Sequence, residues 1–187
     1  MGFVVVYDAC VLYPAPVRDL LMEIAVSGLV RAKWTEQIHQ EWMSSLVADR
    51  PHIESRIQQT RRLMDVAIPD ALVKHYESLI DGITLPDPKD HHVLAAAIKC
   101  GAQMIVTANL KDFPEDYLAP YGMEAVHPDQ FIEQQFGLNQ DAVIGCAKRI
   151  RARLQNPEKS ADQYFEILSS SRLPATAASL REYKEQI

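Results

Sequence analysis

Four oxygen-bearing side chains, far apart in the sequence, are placed where they could do chemistry together. Asp8 directly follows the apolar run Phe3–Tyr7 (FVVVY). Glu41 stands beside Trp42 in a segment otherwise patterned for packing. Asp90 lies in the stretch Pro86-Asp87-Pro88-Lys89-Asp90, and Asn109 comes two residues after QMIVT (103–107). Carboxylates that share a pocket repel one another, so at neutral pH they keep a proton or bind a cation. Hard oxygen ligands with few histidines favour Mg²⁺ or Mn²⁺ over zinc. Such an ion orients water and stabilises the charge that develops when a phosphodiester is attacked.

Each of these residues also has a plainer reading. Asp8 can cap a turn, although the end of a buried strand is an expensive place for an unpaired charge. Glu36 is explained by the positive end of a helix dipole. Asp87 is the natural cap ahead of Pro88, which leaves Asp90 in the first turn as the candidate ligand. His91 and His92 are adjacent on a helix and point about 100° apart, so they cannot easily share a metal and neither is expected as a ligand. Asn109 commonly starts a turn, and Asp112 ahead of Phe113-Pro114 can cap one.

The elements that must position these groups are legible from periodicity. FVVVY has the composition of a strand buried on both faces, as in a parallel sheet covered by helices. Leu20, Leu21, Ile24 and Ala25 recur at helical spacing between Pro16 and Ser27, and Gly28 supplies a left-handed stop. A short strand is expected at 29–32. A helix capped by Thr35 should run to about Val47 and carry Glu41. Pro51 opens another helix, and a further one is expected after Pro69 through Leu72, Val73, Tyr76, Leu79 and Ile80. The helix after Asp87 stops at Gly101, strands follow at 103–107 and 123–126, and a helix fills 128–136. Strands alternating with helices, without hairpin signals, imply an α/β fold with a mostly parallel sheet.

Gly137-Leu138-Asn139 reads as a hinge, giving one domain over 1–136 and a small helical extension over 137–187 with helices at 141–154, 160–168 and 176–183. The net charge of −6 does not by itself suggest a nucleic-acid binder. It is unevenly spread, at −8 over 1–138 and +2 over 139–187. Lys148, Arg149, Arg151 and Arg153 fall on one expected helix and could meet a phosphate backbone or simply solvate a helix face. Arg56, Arg61 and Arg62 form a smaller basic group. The length of 187 residues and 48 % apolar content exclude disorder and a disulfide miniprotein. Cys10, Cys100 and Cys146 are too dispersed for a CxxC metal or redox site and are expected as reduced core residues. No apolar run is long enough for a membrane span, and the N-terminus lacks a basic n-region, so a cytoplasmic protein is expected.

The segments VVVYDACVLYP, the helix with Glu41, and DPKDHHVLAAAIKCGAQMIVTANLKDFP, taken in order, resemble the PIN domain, specifically the VapC-like nucleases of bacterial toxin–antitoxin pairs. The resemblance covers residues 3 to about 136, and the LPATAASL segment of the tail resembles the helical C-terminal extension of one branch. It implies a three-layer α/β/α fold and a divalent-metal-dependent endoribonuclease leaving a 5′-phosphate and a 3′-hydroxyl. Asp8, Glu41 and Asp90 match the three acidic ligands. The fourth position, usually Asp in this family, is Asn109 here, which weakens a second metal site; Asp112 stands where the family often has another acid and can compensate. Thr107 is implied as a hydrogen-bond partner of a metal-bound water or scissile phosphate. A small antitoxin that occludes the carboxylate groove and a homodimeric state are also implied.

Two rivals stand beside this reading. A haloacid-dehalogenase-type phosphohydrolase also places an Asp after its first strand, but it needs a second Asp two residues on, and that position is Cys10. A non-catalytic PIN-like module that docks RNA or protein through a weakened metal site is the other.

Overall fold

A computed structural model of the chain describes residues 2–187. Four parallel strands, β1 (Phe3–Tyr7), β2 (Val30–Lys33), β3 (Met104–Val106) and β4 (Glu124–Val126), form one sheet in the order β2-β1-β3-β4. Val5 pairs with Ala32 on one side and Met104 on the other, and Met104 pairs with Glu124. The chain therefore leaves β1 for β2 and later returns to β3 on the opposite side of β1. Such a switch opens a crevice beyond the carboxyl ends of the two central strands. Val5, Val6, Tyr7, Ile105 and Val106 are fully buried, as an apolar run covered on both faces requires.

The chain folds into two compact units. One comprises the chain up to Tyr13 together with Val30–His127, and holds the whole sheet. In it, α1 (Ala9–Leu12) follows β1 without a break and is capped by Asp8, whose carboxylate accepts from Ala9 N. Helix α3 (Glu36–Asp49) begins where Thr35 Oγ1 accepts from Ile38 N at 3.0 Å. Its inner face is fixed by a polar chain: Trp42 Nε1 donates to His39 Nδ1 at 3.1 Å, and His39 Nε2 meets Asp65 Oδ1 at 3.0 Å on α4 (Glu54–Ala67). Burial holds the His39 imidazolium back, lowering its pKa against the pull of Asp65. Asp87 accepts from Lys89 N at 2.9 Å and opens a short 3₁₀ turn that leads into α5 (His91–Cys100). Helix α5 stops at Gly101, whose φ of 64° is the left-handed stop expected there. Helix α6 (Glu115–Leu118) precedes β4.

The helix expected through 72–80 is not formed. Trp34 N donates to Ala71 O and Val73 N to Trp34 O, so Leu72 extends the edge of β2 as a parallel bridge. Only Glu77–Gly82 coils, as a 3₁₀ helix. The unpaired edge backbone of β2 takes up this segment, and its β-branched and aromatic residues suit the extended form.

The second unit comprises Pro14–Leu29 and Pro128–Ile187. It contains α2 (Ala15–Val26), α7 (Pro128–Leu138), α8 (Gln140–Arg153), α9 (Ala161–Ser170) and α10 (Pro174–Arg181). Gly137 lies within α7, and Asn139 caps α8 by accepting from Ala142 N at 3.1 Å. Ser160 and Gln163 form a reciprocal capping box at the start of α9. Asp129 binds the start of α10 through Ala175 N, Thr176 N and Thr176 Oγ1 at 2.9, 2.8 and 2.7 Å. Among the described residues no helix is long and apolar enough to cross a membrane.

Candidate active site

The crevice at the switch between β1 and β3 holds a cavity of about 410 Å³, lined by Asp8, Glu41, Asp90 and Asn109 along with Cys10, Tyr13, Trp42 and Ser45. Tertiary structure thus brings four of the sequence candidates to one place. Asp8 arrives because β1 ends there, Asn109 because β3 ends beside it, Glu41 from the middle of α3, and Asp90 from the turn before α5.

Asp8 is 6 % exposed and held on both carboxylate oxygens. Oδ1 accepts from Ala9 N at 2.7 Å, and Oδ2 accepts from Thr107 Oγ1 at 2.8 Å and from Cys10 Sγ at 3.1 Å. Both expected readings of Asp8 therefore hold at once: it caps α1 and it faces the cavity. Thr107 is fully buried, and its hydroxyl accepts from Asn109 N at 3.0 Å while donating to Asp8. It orients the loop and the carboxylate from below, outside the cavity lining. Cys10 Sγ also accepts from Ala108 N at 3.3 Å, and burial, reinforced by Asp8, pushes its thiol up to about 12. It stays a neutral thiol that donates to Asp8.

Asp90 carries the electrostatic signature of the site. Burial first, then the neighbouring charges of Asp8, Asp112 and Asp87, push its carboxyl up to about 6, with His92 pulling the other way. Asp112 lies outside the cavity lining but bonds to it: Asn109 Nδ2 donates to Asp112 Oδ2. That contact uses the amide nitrogen of Asn109 and leaves its Oδ1 as the atom able to ligate. Glu41 Oε1 lies 2.8 Å from His92 Nε2 and accepts from Gln37 Nε2 at 3.2 Å. Spacing points away from His92, since adjacent helix positions 91 and 92 lie about 100° apart and cannot easily share a metal; its contact with Glu41 arises only from the approach of α3 to α5. Ser45, one turn beyond Glu41 on α3, is a further wall residue whose only sequence signal is that i+4 spacing.

Among the described residues no three His, Cys, Asp or Glu side chains are gathered tightly enough to hold an ion in the arrangement seen. The chemistry of the donor set nevertheless fits a hard cation. Three carboxylates and an amide side chain line one cavity, and the like-charge repulsion that adds to burial in raising Asp90 is what a positive ion relieves.

Three of the basic residues in 148–153 have partners within their own unit. Arg149 Nε and Arg153 donate to Glu23 at 2.8 and 2.6 Å, and Arg151 donates to the carbonyls of Ile187 and Lys159 at 2.6 and 3.1 Å. Burial works to raise the Glu23 pKa, but the two guanidiniums hold it below its ordinary value. Among the described residues Lys148 is the one of the four with neither a hydrogen bond nor an ion pair from its side chain. In the smaller group, Arg61 pairs with Glu36 and Asp65.

Residues 4–111 match the family model of the PIN domain, which is more than half of the chain, so the protein belongs to the PIN-domain family. Residues 128–182 match a second model, the VapC50 C-terminal domain. A stretch of 54 residues is 54 % identical to a Mycobacterium tuberculosis protein named "Putative ribonuclease VapC50"; it covers 29 % of this chain and 32 % of that protein, about a third of the relative's length. No solved structure matches the chain. The VapC-like resemblance and the PIN-type α/β/α fold class, with C-terminal helices, are borne out together.

Proposed function

We propose that this protein is a divalent-metal-dependent endoribonuclease, the toxin of a type II toxin–antitoxin pair acting in the cytoplasm. The observation that carries the reading is the convergence of Asp8, Glu41, Asp90 and Asn109 on one cavity at the strand switch. Asp8, Glu41, Asp90 and the Asn109 amide oxygen would hold Mg²⁺ or Mn²⁺. When bound, the ion supplies orientation of water and stabilisation of the charge that builds on the phosphodiester. Water attacks phosphorus in line with the 3′ oxygen, which leaves as a hydroxyl and yields a 5′-phosphate. The chain's own part is to hold the site open and oriented. Thr107 and Cys10 pin Asp8 Oδ2, Ala9 N pins Oδ1, and Asp112 turns Asn109. Lys148 is the cation in 148–153 best placed to meet RNA, since Arg149, Arg151 and Arg153 already have partners. A small antitoxin with a basic side chain fits a groove of uncompensated carboxylates, and homodimerisation belongs to the same reading.

A second reading, a non-catalytic RNA- or protein-docking module, is favoured by Asn109 at the fourth ligand position and by the spread of the acids in the structure. Purified wild type and Asp8→Asn, incubated with total RNA with and without Mn²⁺ and titrated with Mn²⁺ by calorimetry, separate the two. Mn²⁺-dependent cleavage lost in the variant supports the nuclease. A silent titration with RNA binding retained supports the module.

A further inference from the structure

We propose that His92 is a positioning residue for Glu41, holding the carboxylate by Oε1 so that Oε2 is left for the cavity. This rests on the reading that Glu41 serves a metal site. His92 stands in the first turn of α5, two residues after Asp90, with its side chain only 3 % exposed. The residues that follow it, Val93, Leu94, Ala95, Ala96 and Ala97, are buried as well, so this part of α5 is enclosed by apolar packing all round. An imidazole set among such residues is costly unless a polar group meets it. The group that meets it is Glu41, whose Oε1 lies 2.8 Å from Nε2.

Gln37, one turn earlier on α3, donates to the same oxygen at 3.2 Å. One hydrogen-bond donor, Gln37, and one close polar contact, His92 Nε2, thus meet at Oε1 from two different helices, and Oε2 takes no hydrogen bond among the described residues. A glutamate on a helix surface samples several rotamers, each placing its oxygens differently. Fixing one oxygen from α5 and α3 selects among them. Attraction requires the proton on Nε2, and that tautomer leaves Nδ1, which is buried without a partner, as a lone pair rather than an N–H. The approach lies off the N–H axis, so it acts as charge on dipole and not as a straight hydrogen bond. Outer partners of this kind hold the ligands of metal sites in orientation.

The test is Mn²⁺ calorimetry on the full chain, with a melting curve for each protein, for wild type, His92→Leu, His92→Gln, Gln37→Leu and Glu41→Gln. The expected result is that His92→Leu weakens Mn²⁺ binding by about 10- to 100-fold. His92→Gln, which restores an N–H at similar reach, recovers most of that loss, although the two variants melt alike. Gln37→Leu shifts affinity the same way by a smaller factor, and it carries the test with His92→Gln should His92→Leu fail to fold. Wild-type affinity in His92→Leu, with Glu41→Gln weakened, overturns the positioning role while leaving Glu41 a ligand. Equal losses in both His92 variants, tracking their melting temperatures, overturn it in favour of packing. Wild-type affinity in Glu41→Gln removes Glu41 from the metal reading itself, and the inference falls with it.

Discussion

Each unit of the molecule holds a group of carboxylates away from bulk water, and the two treat them in opposite ways. In the helical unit, Glu23 is met by Arg149 and Arg153, and Asp129 by three donors at the start of α10. Glu23 thus has answering positive charges, and Asp129 a set of N–H and O–H groups. In the sheet unit, Asp8, Glu41 and Asp90 line one cavity, and the charges that press on Asp90 are those of Asp8, Asp112 and Asp87. Asp8 is hydrogen-bonded, but only by neutral donors that fix its direction without cancelling its charge. The difference separates charge used to hold structure from charge kept available. An ion pair that is satisfied within the fold gains nothing from a ligand, whereas a repulsive set gains whatever a cation contributes.

The comparison breaks most visibly at Asp8. Asp8→Asn keeps the cap of α1 but turns an N–H₂ toward Thr107 Oγ1 and Cys10 Sγ, which donate to Oδ2 in the wild type, so stability should fall by about 1 to 2 kcal/mol with the fold retained. Cleavage of RNA in Mn²⁺ should fall about a thousandfold, some 4 kcal/mol of transition-state stabilisation. Gel assays of initial rates alongside a melting curve read both, and near-wild-type rates would remove Asp8 from the chemistry.

Glu23→Ala attacks the other side. It strands two guanidiniums that are half exposed, so the loss is that of a partly solvated network, about 1 to 2 kcal/mol in urea unfolding. Mn²⁺ affinity should not move. A variant that loses Mn²⁺ affinity without losing stability would erase the contrast between the two clusters.

Asp90→Asn should show the reverse sign. The carboxyl titrates near 3.8 in the unfolded chain and at about 6 in the folded one. The unfolded state therefore gives up its proton first as pH rises, and the metal-free fold is progressively penalised between those values, fully so above about pH 6. Removing the charge should stabilise the chelator-treated protein at pH 7.5 by about 1 kcal/mol after discounting for solvent screening, and by nothing at pH 3.5. Melting curves at the two pH values in chelator test this; a destabilised variant at pH 7.5 would mean that Asp90 is not strained by its neighbours.

The smallest effect is expected at Lys148. Lys148→Gln should lower the slope of log affinity for single-stranded RNA against log salt by about 0.7, the share of one phosphate contact. An unchanged slope would leave no cation of this helix for RNA.

Much of the fold was legible because its signals are local. FVVVY, the Thr35 cap, Asp87-Pro88 and Gly101 each act through their own backbone, and each element formed where its pattern placed it. The segment 72–80 misled because its apolar spacing suits a helix as well as an edge strand, and only the open backbone of Trp34 decided between them. The basic run at 148–153 had a partner that sequence could not reveal, since Glu23 is more than a hundred residues away.

What the sequence by itself determined is the set of strands and helices, the acids at their ends and, through ordered motifs, the family. Those follow from short-range sterics, capping and periodicity. Only the tertiary structure decided that β1 and β3 lie side by side, that Asp8, Glu41, Asp90 and Asn109 share a cavity, and that Thr107 and His92 stand behind the acids and not among them. The reason is that charge repulsion and hydrogen bonding act over a few ångströms, and which groups come that close is set by strand order and helix packing.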